Sequence, residues 1–281
     1  MTEGPVWLFA PANAARKALG ALSGNADVVV LDLEDAVAIS EKSAARAALA
    51  ELAAIPRNGA LFVRVNAAST PLCMADMQAA VAAGADGIML PKTETAAEAA
   101  AVCWALTQLD AAHARPAPTR LVPLIETARG LANLDRIDWD ARVRCVAFGS
   151  VDYAADLGLS GTIGDEAVAD AQYAIVRASR AAGLEGPIDG VTLEVRNTEL
   201  CARDAGRARA LGFSGKLAIH PAQTDPIQAA FRPTAEETAW ATEVLEAFSA
   251  AEAAGTAAIL VRGRLVDYPV LNQAKQILAR S

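Results

Sequence analysis

"LVPLIETARG", residues 121–130, runs five mostly aliphatic residues straight into a carboxylate, Glu126. A short apolar run flanked by helix-forming sequence reads as a buried strand. A carboxylate carried at the tip of such a strand must meet a cation or hydrogen-bond donors, because burying it unpaired is costly. Working outward from this stretch, the same unit recurs. Apolar runs occur at 6–12 (VWLFAPA), 27–34 (DVVVLDLE), 60–66 (ALFVRVN), 87–92 (GIMLPK), 120–126 (RLVPLIE), 144–150 (RCVAFGS), 188–194 (IDGVTLE) and 215–221 (GKLAIHP). Between them lie Ala-rich stretches, such as 40–55 and 165–183, whose apolar residues return every three or four positions. Eight such units predict an α/β fold, a closed parallel (β/α)8 TIM barrel. An open doubly wound sheet would carry a Gly-rich turn after its first strand. Here that strand runs into PANAARKALG, with no GxGxxG, and the later GLSGTIG (158–164) reads as a loop.

The length of 281 residues suits a barrel over residues 1–225 followed by an extra C-terminal segment, 226–281. That segment reads as a helix at 234–255, a hairpin in TAAILVRGRLVDYP and a short last helix. A composition 53% hydrophobic and 21% charged excludes a disordered chain. A net charge of −8 and a pI near 4.9 argue against a nucleic-acid surface. Cys73, Cys103, Cys145 and Cys201 are far apart and form no CxxC, so they read as small core residues in a reducing compartment, not as a zinc site or disulfide framework. No apolar run approaches the roughly 18 residues of a membrane span, and no basic region precedes an apolar one at the N-terminus. The expectation is a cytoplasmic protein.

In a barrel the catalytic groups sit where strands end and βα loops begin. Those ends offer Asp32, Glu34 and Asp35, then Arg64 and Asn66, then Lys92 and Glu94. They continue with Glu126, Asp152, Asp189 and His220. Glu126 and Asp152 follow consecutive strands, and two carboxylates without His or Cys partners suit a hard cation such as Mg²⁺. The competing reading makes Glu126 one half of an internal salt bridge to Arg64 or Lys92. Arg64 interrupts a β-run with a planar fork suited to a carboxylate, either a substrate's or that of Glu34. Asp32, Glu34 and Asp35 could ligate the metal, orient its waters, or hold Arg64 and Lys92. His220, before Pro221, reads as a capping or packing residue, and His113 as exposed.

The motifs LFAPAN, DVVVLDLEDAV, VRVNA, GIMLPKTE, PLIETARGL, VAFGSVDYAADLG, GFSGKLAIHPAQ and GRLVDYPVLNQAKQILA follow one another along nearly the whole chain. In this the chain resembles the citrate lyase β-subunit-like branch of the HpcH/HpaI aldolase family, which includes malyl-CoA and citramalyl-CoA lyases. The resemblance implies a (β/α)8 barrel assembled as a homotrimer or homohexamer. It also implies a carbon–carbon (oxo-acid) lyase dependent on Mg²⁺, with Mn²⁺ as a substitute. The implied reaction splits a 3-hydroxyacyl-CoA such as malyl-CoA or citramalyl-CoA into a 2-oxo acid and acetyl-CoA. Alternatives are a citrate lyase β-type subunit acting on a citryl thioester beside an acyl-carrier partner, a 2-oxo-acid aldolase that does not use CoA, and a non-catalytic paralogue. By resemblance Glu126 and Asp152 match the metal ligands, while Arg64, with Glu126, holds the oxo acid. Glu34, Asp35 and Lys92 surround the metal's waters, and Asp267 in VDYP is a catalytic acid sent into a neighbouring subunit's site. One departure stands out: the family often has Arg-Ser before its LFxP strand, where this chain has Pro5 and Val6, so an anion-binding arginine is missing there.

Overall fold

The structure, a computed structural model, describes residues 3–159 and 165–279; most of the predicted 158–164 loop therefore lies outside the described residues. The chain divides into two units, Met1–Gln228 and Ala229–Ser281.

In the first unit the strands β1 (Val6–Pro11), β2 (Val28–Asp32), β3 (Ala60–Arg64), β4 (Gly87–Leu90), β5 (Arg120–Ile125), β6 (Ala147–Phe148), β7 (Ile188–Asp189) and β8 (Gly215–Ala218) close into one barrel. Every neighbouring pair is parallel, and β8 closes on β1. The helices that alternate with them are α1 (Ala15–Leu22), α2 (Lys42–Ala53), α3 (Cys73–Ala82), α4 (Ala96–Ala112), α5 (Ala128–Asn133), α6 (Ser150–Asp156), α7 (Asp165–Ala181) and α8 (Thr198–Leu211), with α9 (Thr224–Phe231) after β8. The strands read as continuous apolar runs because both faces are covered, one by the barrel interior and the other by the helices. Alternate residues therefore supply the interior: Trp7, Val28, Val30, Phe62, Val122 and Leu124 belong to its core, with Trp7 and Phe62 ring centroids 5.0 Å apart. Gly87 is bare because a Cβ there would lie 2.3 Å from the Phe62 ring.

Seven strands begin within a residue of where the apolar runs predict, β6 begins three residues late at Ala147, and the strands stop earlier than predicted: β2 ends at Asp32, β3 at Arg64, and β6 and β7 last two residues each. At the barrel mouth the backbone exchanges ladder partners for side-chain acceptors. The N–H groups of Glu34 and Ala36 turn to Asp32 at 2.8 and 3.1 Å, and that of Lys92 turns to Glu126 at 2.8 Å. The polar residues that end the apolar runs therefore belong to site loops.

All four cysteines are buried and free. Burial pushes the thiols of Cys73 and Cys103 up to about 11 and that of Cys145 up to about 12, and raises that of Cys201. Thiolate is the reactive form. The native protein should show no fast-reacting thiol toward a disulfide reagent at pH 8, and four after denaturation; one rapid equivalent in the native state would contradict this packing.

The second unit contains α10 (Ala235–Ala253), an antiparallel hairpin of β9 (Ile259–Val261) and β10 (Arg264–Val266), and α11 (Tyr268–Leu278). Arg262 and Gly263 turn the hairpin with φ of 49° and 75°, the left-handed pair that matches strand twist. Phe248, Val261, Val266 and Leu271 form its own core. Asp267 is the N-cap of α11, its Oδ1 accepting from the Val270 N–H at 3.3 Å. No helix among the described residues is long and apolar enough to cross a membrane.

Candidate active site

Glu126 is the first residue beyond β5 and is only 1% exposed. Its Oε1 accepts the Lys92 N–H at 2.8 Å, a bond made by a backbone at φ 51°, the left-handed region that a non-glycine residue rarely occupies. The Lys92 ammonium lies 4.0 Å from the same oxygen but 2.6 Å from Glu34 Oε1, so its closer ion pair is with Glu34. Gly149, after β6, has no side chain because a Cβ there would stand 2.5 Å from Glu126 Oε2. Asp152 follows on the first turn of α6. Burial, then the charges of Asp152 and Glu34, push the Glu126 carboxyl up to about 8.

Arg64 ends β3 in register with Asp32, which ends β2. The guanidinium grips that carboxylate with two bonds, Nε to Oδ1 at 2.8 Å and Nη2 to Oδ2 at 2.6 Å. Its Nη1 lies 2.9 Å from Glu34 Oε2, and the group stands 4.9 Å from the centre of the Phe9 ring. Burial opposes the Arg64 charge, but Asp32 and Glu34 outweigh it and raise its pKa above the ordinary arginine range. Lys42, which the sequence did not single out, is buried at the start of α2 and donates to the carbonyls of Leu33 and Glu34 at 2.7 and 2.8 Å. Asp32 and Lys42 together shape the turn that presents Glu34 and Asp35.

Of these groups Asp32, Asp35, Arg64, Glu126 and Asp152 line one cavity of about 850 Å³ at the strand ends. His220 lines it as well, as do Arg16 and Lys17 from α1. The last two are exposed cations in a motif-free Ala-rich stretch, and the only signal for them was that α1 begins just past the end of β1.

Five of the strand-end residues do not line the cavity: Glu34 and Lys92, which stand behind it as an ion pair, and Asp189, Asn66 and Glu94. Asp189 is 3% exposed and bonds Lys216 at 2.8 Å and Gln172 of α7 at 2.6 Å, so it faces the helix layer. Asn66 is buried against Leu33 O and Asp76. Glu94 lies 3.7 Å from Arg129. His113 is exposed, at the C-cap of α4. The Pro5–Val6 departure also has a different meaning from the one expected. These residues lie at the N-terminal end of β1, whereas the cavity begins at Leu8. A side chain at the opening of β1 bears on stability, not on substrate.

The donor set suits a hard divalent cation. Among the described residues no group of three His, Cys, Asp or Glu could hold a metal, but Glu126 and Asp152 provide two oxygen donors. Two carboxylates leave room for the waters that Mg²⁺ retains. Five carboxyl groups, of Asp32, Glu34, Asp35, Glu126 and Asp152, gather here around two cations, Arg64 and Lys92. That deficit of positive charge, and a Glu126 held above its ordinary range by burial, suit the binding of a divalent ion.

Residues 6–221 match the family model described as HpcH/HpaI aldolase/citrate lyase. The chain belongs to that family. It is 30% identical to the citrate lyase subunit beta of Haemophilus influenzae, over 98% of this chain and 95% of that one. It is 31% identical to the mitochondrial citramalyl-CoA lyase of Rattus norvegicus, over 96% of this chain and 84% of that one. Among solved structures, CitE of Mycobacterium tuberculosis in complex with magnesium, acetoacetate and coenzyme A superposes with a TM-score of 0.79 at 33% identity, covering 99% of this chain and 97% of that one. The chain is thus an enzyme of the lyase class, on a (β/α)8 barrel with additional C-terminal helices.

Proposed function

We propose that the protein is a Mg²⁺-dependent carbon–carbon lyase that cleaves a 3-hydroxyacyl-CoA of the malyl or citramalyl type into a 2-oxo acid and acetyl-CoA. One observation carries the reading: a single cavity joins the Glu126–Asp152 pair and Arg64 to the cations Arg16 and Lys17. The first group suits a metal and the carboxylate of an oxo acid, and the second suits the phosphates of a carrier such as CoA. The magnesium, acetoacetate and coenzyme A held by the Mycobacterium relative support both halves.

Glu126 and Asp152 would hold the Mg²⁺, which when bound supplies a Lewis acid beside the substrate's carboxylate and hydroxyl oxygens. Arg64, fixed by Asp32 and Glu34, keeps outward donors for that carboxylate. Lys92 holds Glu34 by its ammonium and Glu126 by its backbone N–H. The hydroxyl proton passes to solvent, and the breaking C–C bond leaves its electron pair on the thioester side as an enolate. Asp267, supplied by a second copy of the chain in a homotrimer or homohexamer, returns one proton to carbon.

The test is release of pyruvate or glyoxylate from a panel of 3-hydroxyacyl-CoA thioesters by the purified protein, with Mg²⁺ and after chelation. Cleavage of one thioester only with metal is expected; turnover of free oxo acids with aldehydes but of no thioester would overturn the CoA assignment. Changing Arg16 and Lys17 together to Ala should raise KM for the CoA thioester by about tenfold or more while leaving kcat near wild type, because the lost contacts are to remote phosphates bound equally in ground and transition states. The matching pantetheine thioester, which lacks the nucleotide phosphates, should show no such rise.

A further inference from the structure

His220 lies just beyond β8 and lines the same cavity as Glu126 and Asp152. The turn that follows it holds it in place. Its backbone is extended, φ −150° and ψ 141°, as the following Pro221 requires. Its Nδ1 accepts the Ala222 N–H at 3.1 Å, capping the short 3₁₀ turn Pro221–Gln223. The Gln223 side chain, 1% exposed, closes that turn from below. It accepts the Ile219 N–H at 2.9 Å and donates to Thr192 O at 2.7 Å.

This arrangement fixes the tautomer. A ring nitrogen that accepts an N–H carries no proton, so the neutral imidazole bears its proton on Nε2. Among the described residues Nε2 meets no protein acceptor, leaving one oriented donor unspent in a half-buried position on the cavity wall. Around the barrel β8 adjoins β1, the strand that leads into Arg16 and Lys17, and is three strands from β5, which carries Glu126. His220 is therefore on the carrier side of the cavity, away from the end suited to the oxo acid.

We propose that His220 is a catalytic residue, donating its Nε2–H to the thioester carbonyl oxygen, where negative charge collects as the C–C bond breaks. This rests on the lyase reading above and adds a role to it. The hydroxyl proton leaves to solvent, the C–C electron pair moves to the thioester as an enolate with its charge on oxygen, and Asp267 protonates carbon. His220 keeps its proton throughout. A donor held rigid before the charge appears needs no reorganisation when it does.

Two substitutions in the Mg²⁺-loaded full-length protein separate this role from simple capping. His220→Asn keeps an acceptor where Nδ1 stands but removes the donor. His220→Gln places an amide N–H near Nε2 but gives up the cap. Asn should lower kcat by about 10²–10³-fold with KM for the thioester little changed, while Gln should stay within about tenfold of wild type. The reverse ranking, with Asn near wild type and Gln impaired, would make His220 a cap only. The infrared carbonyl stretch of bound acetyl-CoA supplies a second readout that needs no turnover. It should lie lower in the wild type than in His220→Asn. Bound acetyl-CoA with the same stretch in both removes the role of His220 and leaves the lyase intact, whereas failure of the wild type to bind or cleave any thioester overturns both.

Discussion

Glu126→Gln is expected to lower kcat/KM by about 10³-fold or more and to abolish the Mg²⁺-dependent rise in melting temperature, while leaving the barrel folded. The amide oxygen can still accept the Lys92 N–H that Oε1 accepts at 2.8 Å, so what is lost is the charge and not the shape. The substitution also predicts an opposite effect in the absence of metal. Burial raises the Glu126 carboxyl from 4.5 to about 8, so between those values the folded protein binds a proton that the unfolded chain has released. By linkage, stability of the metal-free wild type then falls as pH rises through that window, by up to about 1.4 kcal/mol per unit. Gln carries no titrating proton, so the metal-free variant should be the more heat-stable at pH 8 and the two should converge near pH 5. Melting curves across that range with and without Mg²⁺ decide it. A wild type that is flat from pH 5 to 8 without metal would mean the carboxylate is satisfied by Lys92 alone, and the metal reading would lose its electrostatic basis.

Arg64→Met should cost about 3–5 kcal/mol in urea unfolding, because it strands the 1%-exposed Asp32 carboxylate without its two-bond partner. Asp32→Asn added to it should recover part of that loss. The amide oxygen can still serve the N–H groups of Glu34 or Ala36, and the stranded charge of Asp32 is gone while Glu34 keeps Lys92; a coupling of about 0.5–3 kcal/mol is expected for groups in contact. Activity should not return with stability. A double variant that folds well and remains inactive shows that Arg64 does more than neutralise Asp32, whereas recovered turnover would confine Arg64 to a structural role.

The strand count and the pairing of Glu126 with Asp152 at one mouth were legible because each rests on local pattern: apolar runs of similar length, each delivering a polar residue at its end. The partner of Arg64 was only half legible. Period two places Asp32 and Glu34 on one side of the apolar run 27–34, but the bidentate bond to Asp32 depends on the β2–β3 register, which no single strand encodes. Register also explains Asp189. Strands buried on both faces show no apolar–polar alternation, so nothing in IDGV reveals that the carboxylate faces the helix layer, where Lys216 and Gln172 meet it. Lys42 was hidden because its acceptors are backbone carbonyls, and Arg16 and Lys17 because exposed cations on a short helix look like any solvated face. His220 was read as a cap, which it is; its remaining N–H became visible only with the cavity.

The surplus of carboxyl groups around Arg64 and Lys92 also dictates a sequence of events. An oxo acid or acyl thioester brings its own negative charge, and at the mouth of the metal-free barrel it meets like charge on Asp35 and Asp152. The cation, arriving alone, meets a net excess of carboxyl groups at the Glu126–Asp152 end. On the proposed reading substrate therefore enters second and product leaves before the ion does, so initial rates should intersect as for compulsory-order addition, and a substrate that sequesters free Mg²⁺ in solution should inhibit its own turnover.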